Sequence, residues 1–161
     1  MKKYHLHNRP NREIKDKEEM ERIIKNCKYA IISMCREDEP YIVTLSYGYD
    51  PEKQSLYFHC APEGLKLDFL NANNRVCATV IEDGGYIINE CGHEYKSVVF
   101  GGDMQIVSDV EEKKHGMRVL LHHLETTDSV IKEKLVKSDD FYAQMEILRL
   151  DIKQIHGKAG R

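Results

Sequence analysis

Residues 56–70, LYFHCAPEGLKLDFL, gather the chain's most reactive side chains at one junction. His59 and Cys60 end an apolar run, Pro62 and Gly64 break it, and Lys66 falls in the first turn of a helical pattern. A helix start leaves backbone N–H groups without intrahelical partners, glycine lets a ligand come close, and an ammonium adds a full positive charge. Such a junction suits an anion, a phosphate above all. Just upstream, PYIVTLSYGYD (40–50) offers Thr44, Tyr47 and Tyr49 to a planar ligand. Together the two segments point to a phosphorylated aromatic cofactor.

The other reactive side chains are less suggestive. Imidazole at position 59 can pass a proton or a hydrogen bond to a reducible substrate. It is not expected to activate the Cys60 thiol, because adjacent strand residues point to opposite faces. His115, His122 and His123 lie on a charged helical stretch without an H-E-x-x-H arrangement and read as solvated surface; no metal site is expected. Five cysteines without a CxxC pair argue against a disulfide framework and a zinc knuckle, so reduced thiols are expected. Cys27, Cys35 and Cys77 sit in apolar segments and read as small buried hydrophobes.

The elements that must position these residues follow from periodicity. Asp16 to Cys27 places Met20, Ile23, Ile24 and Cys27 at helical spacing. Tyr29–Cys35 and Tyr41–Tyr49 form a hairpin across the polar turn Glu37–Pro40, and Leu56–Cys60 is a third strand after the turn Asp50–Lys53. Gly64–Ala72 is a short helix with Leu65, Phe69 and Leu70 inward. Arg75–Glu82 and Tyr95–Ser108 are strands joined through a turn at Asp83-Gly84-Gly85, and Gly101-Gly102 marks a bulge or bend. A helix spans Val110–Leu124, a shorter one Ser129–Val136, and a last strand Met145–Ile155. Short connections favour antiparallel pairing. The expectation is a mainly β protein with peripheral helices, a small antiparallel β-barrel of about six strands in one domain over 1–161, which the family resemblance given below makes a split barrel. It carries an N-terminal arm (1–15), including His5 and His7, and a flexible basic tail (156–161).

Composition narrows the function. The net charge of −3 comes from interleaved acids and bases, which gives nucleic-acid binding no support. No apolar run is long enough to cross a bilayer, and the N-terminus lacks the apolar centre of a secretion signal, so a cytoplasmic location is expected.

The order PYIVTLSYGYD, LYFHCAPEGLKLDFL, EYKSVVFGGDMQIVSDVEEK and closing IHGKAGR resembles the flavin-binding split barrels related to pyridoxamine 5′-phosphate oxidase, in their nitroimidazole-resistance (Nim-type) branch. The most specific part is H-x-A-x-x-G-x-K at His59, Ala61, Gly64 and Lys66, supported by Tyr95–Val98. The resemblance implies FMN in a groove between the subunits of a homodimer. Lys66 would bind the phosphate, and the backbone of Val43, Thr44 and Leu45 would run along the isoalloxazine. Cys60 and Ala61 would lie on the same cofactor-binding segment, and His59 would stand beside the ring as the catalytic residue. Ser97 would lie near the phosphate or ribityl chain, Lys96 and Val98 would belong to the same cofactor-binding segment, and Lys158 would reach the cofactor from the tail. Cys60, Thr44 and His156 depart from the family's usual residues, which bears on hydrogen bonding near the ring. The implied activity is FMN-dependent reduction of nitroaromatic or similar small molecules. A non-catalytic flavin carrier and a pyridoxamine-phosphate oxidase are the alternatives.

Overall fold

The computed structural model describes residues 9–135 and 137–160. The histidines of the N-terminal arm, His5 and His7, together with Val136 and Arg161, lie outside the described residues. Its strands are β1 (Glu13–Ile14), β2 (Tyr29–Arg36), β3 (Glu39–Asp50), β4 (Ser55–Cys60), β5 (Arg75–Ile87), β6 (Gly92–Ile106) and β7 (Glu146–Gly160). The helices are α1 (Lys17–Asn26), α2 (Leu65–Ala72), α3 (Val110–Leu124), α4 (Asp128–Leu135) and α5 (Asp139–Ala143). Among the described residues no helix is long and apolar enough to cross a membrane.

Strands β2 to β7 close into a ring in the order β2-β3-β4-β7-β6-β5, every neighbouring pair antiparallel, with β1 added on the outer part of β7. This is the expected six-stranded barrel with one short extra strand. Alternation decides what fills it: Ala30, Ile32 and Met34 of β2, Val76, Ala78 and Val80 of β5, and Val98 and Phe100 of β6 all point inward and are buried. The α1 helix closes one end with Met20, Ile23 and Ile24, capped by the Asp16 carboxylate, which accepts from the Glu18 N–H at 3.0 Å. The α3 helix starts in the same way at Asp109 and lies so close to β3 that a Cβ at Gly48 would stand 2.5 Å from Leu120 backbone atoms.

Three features differ from expectation, each for a local reason. The stretch 157–160 is strand, because Lys158 pairs with Ser97 on one side and Glu13 on the other. The arm is correspondingly structured from Pro10, first as a 3₁₀ turn and then as β1. Asp83-Gly84-Gly85 is a bulge inside a longer hairpin that turns only after Ile87. The other glycine pair behaves as read: the β6–β7 register shifts between Gly101 and Gly102, where a Cβ on Gly102 would lie 1.9 Å from the Asp151 carbonyl oxygen.

The barrel is split between β3 and β4. Their pairing covers only Tyr47–Asp50 against Ser55–Phe58, whereas Glu39–Ser46 pair with β2 alone. The α2 helix packs against this opening with Leu67, Phe69 and Leu70 buried, and the Phe69 and Tyr41 rings meet at 5.0 Å.

Candidate functional site

The opening collects most of the residues singled out above. Continuing the Tyr47–Phe58 register past its last pair sets Ser46 toward His59 and Thr44 toward Ala61, all exposed on the outer face. Val43 and Leu45 turn their side chains into the core, and because Tyr47 bonds to Lys28 the alternation leaves the backbone groups of Thr44 and Ser46 at the β3 edge that β4 does not cover. Beyond β4 the chain turns through Ala61–Glu63 and enters α2 at Gly64, whose φ of 137° lies in the region open to glycine. No side chain caps this helix start, and the Lys66 ammonium sits 3.7 Å from where a Gly64 Cβ would be. An uncapped helix N-terminus with an ammonium folded over it fits a phosphate group.

His59 and Cys60 diverge as strand geometry demands: His59 faces outward and Cys60 is buried. Burial pulls the His59 pKa down, favouring the neutral ring. Burial pushes the Cys60 thiol up against the opposing pull of Lys66, so it stays protonated and inert. Tyr47 and Tyr49 are corrected. Tyr47 is fully buried and donates to the Ile24 carbonyl at 2.5 Å, while Tyr49 is buried beside Gln54, so neither lies on the outer face with Thr44 and Ser46.

A second group lies on β6 and β7. Ser97 is buried on the outer side of the wall, opposite Lys158, whose ammonium lies 5.7 Å from the Tyr95 ring centre. Val98 points into the core, so only its backbone is open to a ligand. Lys96 points the other way from Ser97 and binds Glu19 of α1 at 2.6 Å, which commits its charge to holding the helix. Register connects the two groups across the outer wall. Thr44, Ile31, Thr79, Val99 and His156 form one row, and Ser46, Tyr29, Ile81, Ser97 and Lys158 the next. With strands about 4.8 Å apart, Ser46 and Lys158 stand on the order of 19 Å apart around the wall. The two groups of residues therefore lie on separate parts of the wall.

The α3 histidines are not simply solvated. His115 Nε2 lies 2.7 Å from the buried Asp50 carboxylate; burial raises the Asp50 pKa, but His115 and the Glu52 and Lys53 N–H groups outweigh it and bring it down. His123 donates through Nε2 to the Cys27 carbonyl at 2.7 Å and stacks on Tyr47, and burial lowers its pKa. His122 is exposed. Cys77 is also exposed rather than buried, because it falls on the outward register of β5. Among the described residues no three His, Cys, Asp or Glu side chains are grouped to hold a metal.

Sequence reasoning passed over a pocket on the same outer wall, lined by Tyr29, Ile31, Thr79, Ile81, His93 and Tyr95, with Asp83 at its rim. Only the pairing of β2, β5 and β6 brings these residues together. The signal available in sequence was the glycine pair Gly84-Gly85, which sits at the bulge beside Asp83 in the β5–β6 hairpin.

The profile of the pyridoxamine 5′-phosphate oxidase family matches residues 16–159. An uncharacterized protein of Rhizobium meliloti is 28% identical over 92 residues, covering 57% of this chain and 55% of its own length, so the match spans about half of that relative. Among solved structures, a proposed 5-nitroimidazole antibiotic resistance protein of Bacteroides thetaiotaomicron superposes with a TM-score of 0.79 at 26% identity, over 92% of this chain and 86% of that one. An FAD and heme binding protein of Mycobacterium smegmatis gives 0.78 at 15% identity over 93% and 74%. An FAD-binding protein of Mesorhizobium loti gives 0.66 at 23% over 92% and 96%; these two likenesses establish the fold alone. With a profile match that runs from the cap of α1 through the last strand, the chain belongs to the pyridoxamine 5′-phosphate oxidase family.

Proposed function

We propose that this protein binds FMN between two copies of itself and uses it to reduce nitroaromatic or similar small molecules. The observation that carries the reading is the α2 start: glycine at φ 137°, no side-chain cap, and the Lys66 ammonium beside it, all at the open edge of β3. One cation at one helix start suits a single terminal phosphate, which favours FMN over a dinucleotide. The likeness to a proposed 5-nitroimidazole antibiotic resistance protein supports this substrate class.

In this reading Lys66 and the first N–H groups of α2 hold the phosphate. The Val43–Leu45 segment borders the ring, with the free-edge backbone groups of Thr44 open to it. His59, whose pKa partial desolvation lowers, would in its neutral form present one N–H and one lone pair on the substrate side. Bound flavin supplies electron transfer in single or paired steps; the chain supplies position, electrostatics and exclusion of water. Two copies are needed because Ser97 and Lys158 lie on a different part of the wall from Lys66. The apolar outer face, with Ile42 65% and Tyr29 57% exposed, is suited to bury itself against its own copy.

The test is anaerobic. Protein loaded with FMN is reduced, then mixed with 2-methyl-5-nitroimidazole. Return of the oxidised flavin spectrum with loss of the nitro absorbance is expected. Flavin that stays reduced would leave a carrier and refute the catalytic reading.

A further inference from the structure

The α3 helix forms one side of a pocket of about 400 Å³, which falls in the range of small-ligand sites. His115, Arg118, Val119 and His122, spaced by three and four, share the helix face that lines it, and Pro51 and Glu52 of the β3–β4 turn line the other side. This place is apart from the residues described above. The 6 residues of β4, about 20 Å of strand, separate the turn from the start of α2. The helix covers Gly48 of β3 and Tyr57 of β4, on the side of the ring away from the β5–β6 wall.

One group in the pocket is held in place by a buried charge. Asp50 is 6% exposed; its Oδ1 accepts the Glu52 and Lys53 N–H groups, and its Oδ2 lies 2.7 Å from His115 Nε2. Burial pushes the Asp50 pKa up, but the His115 bond and the two N–H groups bring it down, and an ionised carboxylate only accepts. Nε2 is therefore the donor. The Tyr57 ring packs edge-on against the imidazole at 5.4 Å. In the neutral ring Nδ1 is then an acceptor, and it is neither hydrogen-bonded nor buried among the described residues, so it is open to solvent. One turn along the same face, Arg118 is exposed and has no hydrogen bond or ion pair among the described residues. A fixed acceptor, a free guanidinium and the apolar surface of Val119 and Pro51 thus share one pocket.

We infer that this pocket binds a small carboxylate that has an apolar body and a hydroxyl at its far end. The carboxylate sits on the Arg118 guanidinium, the O–H donates to Nδ1 of His115, and the body lies against Val119 and Pro51. Asp50 is the positioning residue: it sets the tautomer of His115 and does not touch the ligand. Glu52, at the rim, disfavours ligands with a second anionic group. Binding requires neither flavin nor a second copy.

The experiment titrates the full chain at pH 8 with 4-hydroxybenzoate and 4-methoxybenzoate, two monoanions that differ in whether the far oxygen carries a proton or a methyl. Equilibrium dialysis should show a preference for the hydroxyl probe of roughly 3- to 10-fold, one net hydrogen bond. His115→Phe should bind both probes alike, and Arg118→Gln should weaken both by about 10-fold. Saturating FMN should displace neither. Nitrogen-15 spectra should show His115 as the Nε2–H tautomer, with Nδ1 shifted by the hydroxyl probe and not by the methoxy one. Equal binding of the two probes, or binding of neither, overturns the inference. So do a preference that survives in His115→Phe, affinities unmoved by Arg118→Gln, displacement by FMN, or a His115 ring protonated at Nδ1. Should His115→Phe fail to fold, Arg118→Gln, an exposed position, and the native His115 spectrum decide.

Discussion

Replacing Lys66 by Met separates a phosphate-binding lysine from a solubilising one. Met keeps the straight chain and most of the length, so the α2 packing through Leu67, Phe69 and Leu70 is untouched. The charge, however, disappears from the helix start, where Gly64 provides space but no counter-group. Lys66 has no ion pair among the described residues, unlike Lys96, which Glu19 occupies. Removing it therefore breaks no internal bridge, and stability should change little. A charge-assisted hydrogen bond to phosphate contributes about 1.5–3 kcal/mol, which corresponds to roughly 10- to 150-fold in affinity. The assay is flavin fluorescence titration of apoprotein with FMN and, in parallel, with riboflavin, which lacks the phosphate. Lys66→Met should weaken FMN by that factor and leave riboflavin unchanged, so the ratio of the two affinities collapses. An equal loss for both flavins would show that Lys66 shapes the groove rather than holds phosphate. No loss for either would refute the anion site at α2.

Two predictions concern the frame. Gly48→Ala forces a Cβ to within 2.5 Å of Leu120 backbone, so α3 must lift from β3; a cost of about 1–3 kcal/mol should lower Tm by roughly 2–4 °C per kcal/mol, read by calorimetry. An unchanged Tm would contradict the close packing of α3. Burial lowers the pKa of His123 and of His59 in the folded state, so below the unfolded value of about 6.5 the unfolded chain binds more protons. Stability should therefore fall as pH drops from 6.5 toward 5.5 in urea titrations, and His123→Gln should flatten part of that fall. Stability that rises over this window would reverse the sign of the argument.

Much of this architecture is legible because local chemistry and tertiary need agree. The α1 and α3 helices begin at carboxylate caps and show their buried faces at helical spacing, so Asp16 and Asp109 mark the starts. Gly64 and Lys66 read correctly as a helix start because that geometry is set within a few residues. What was not legible depends on distant pairing. Nothing local in IHGKAGR says that Lys158 lies between Ser97 and Glu13, and a short basic glycine-containing segment looks flexible without its partners. Tyr47 and Tyr49 alternate with Thr44 and Ser46 in a strand whose inner face is known only once the barrel closes. The His115 and His123 contacts arise because α3 folds back onto β3 and the end of α1. The pocket under the β5–β6 hairpin needs three strands in register and a bulge, and no single segment carries that pattern.

The central claim is that the groove at the β3 edge and the α2 start holds a flavin. The most direct measurement is the absorbance spectrum of the purified protein, taken before and after heat release of bound small molecules and again after dialysis against FMN. Bands near roughly 375 and 450 nm, with a released compound that runs as FMN, are predicted. A colourless protein that also fails to take up added FMN would contradict the account.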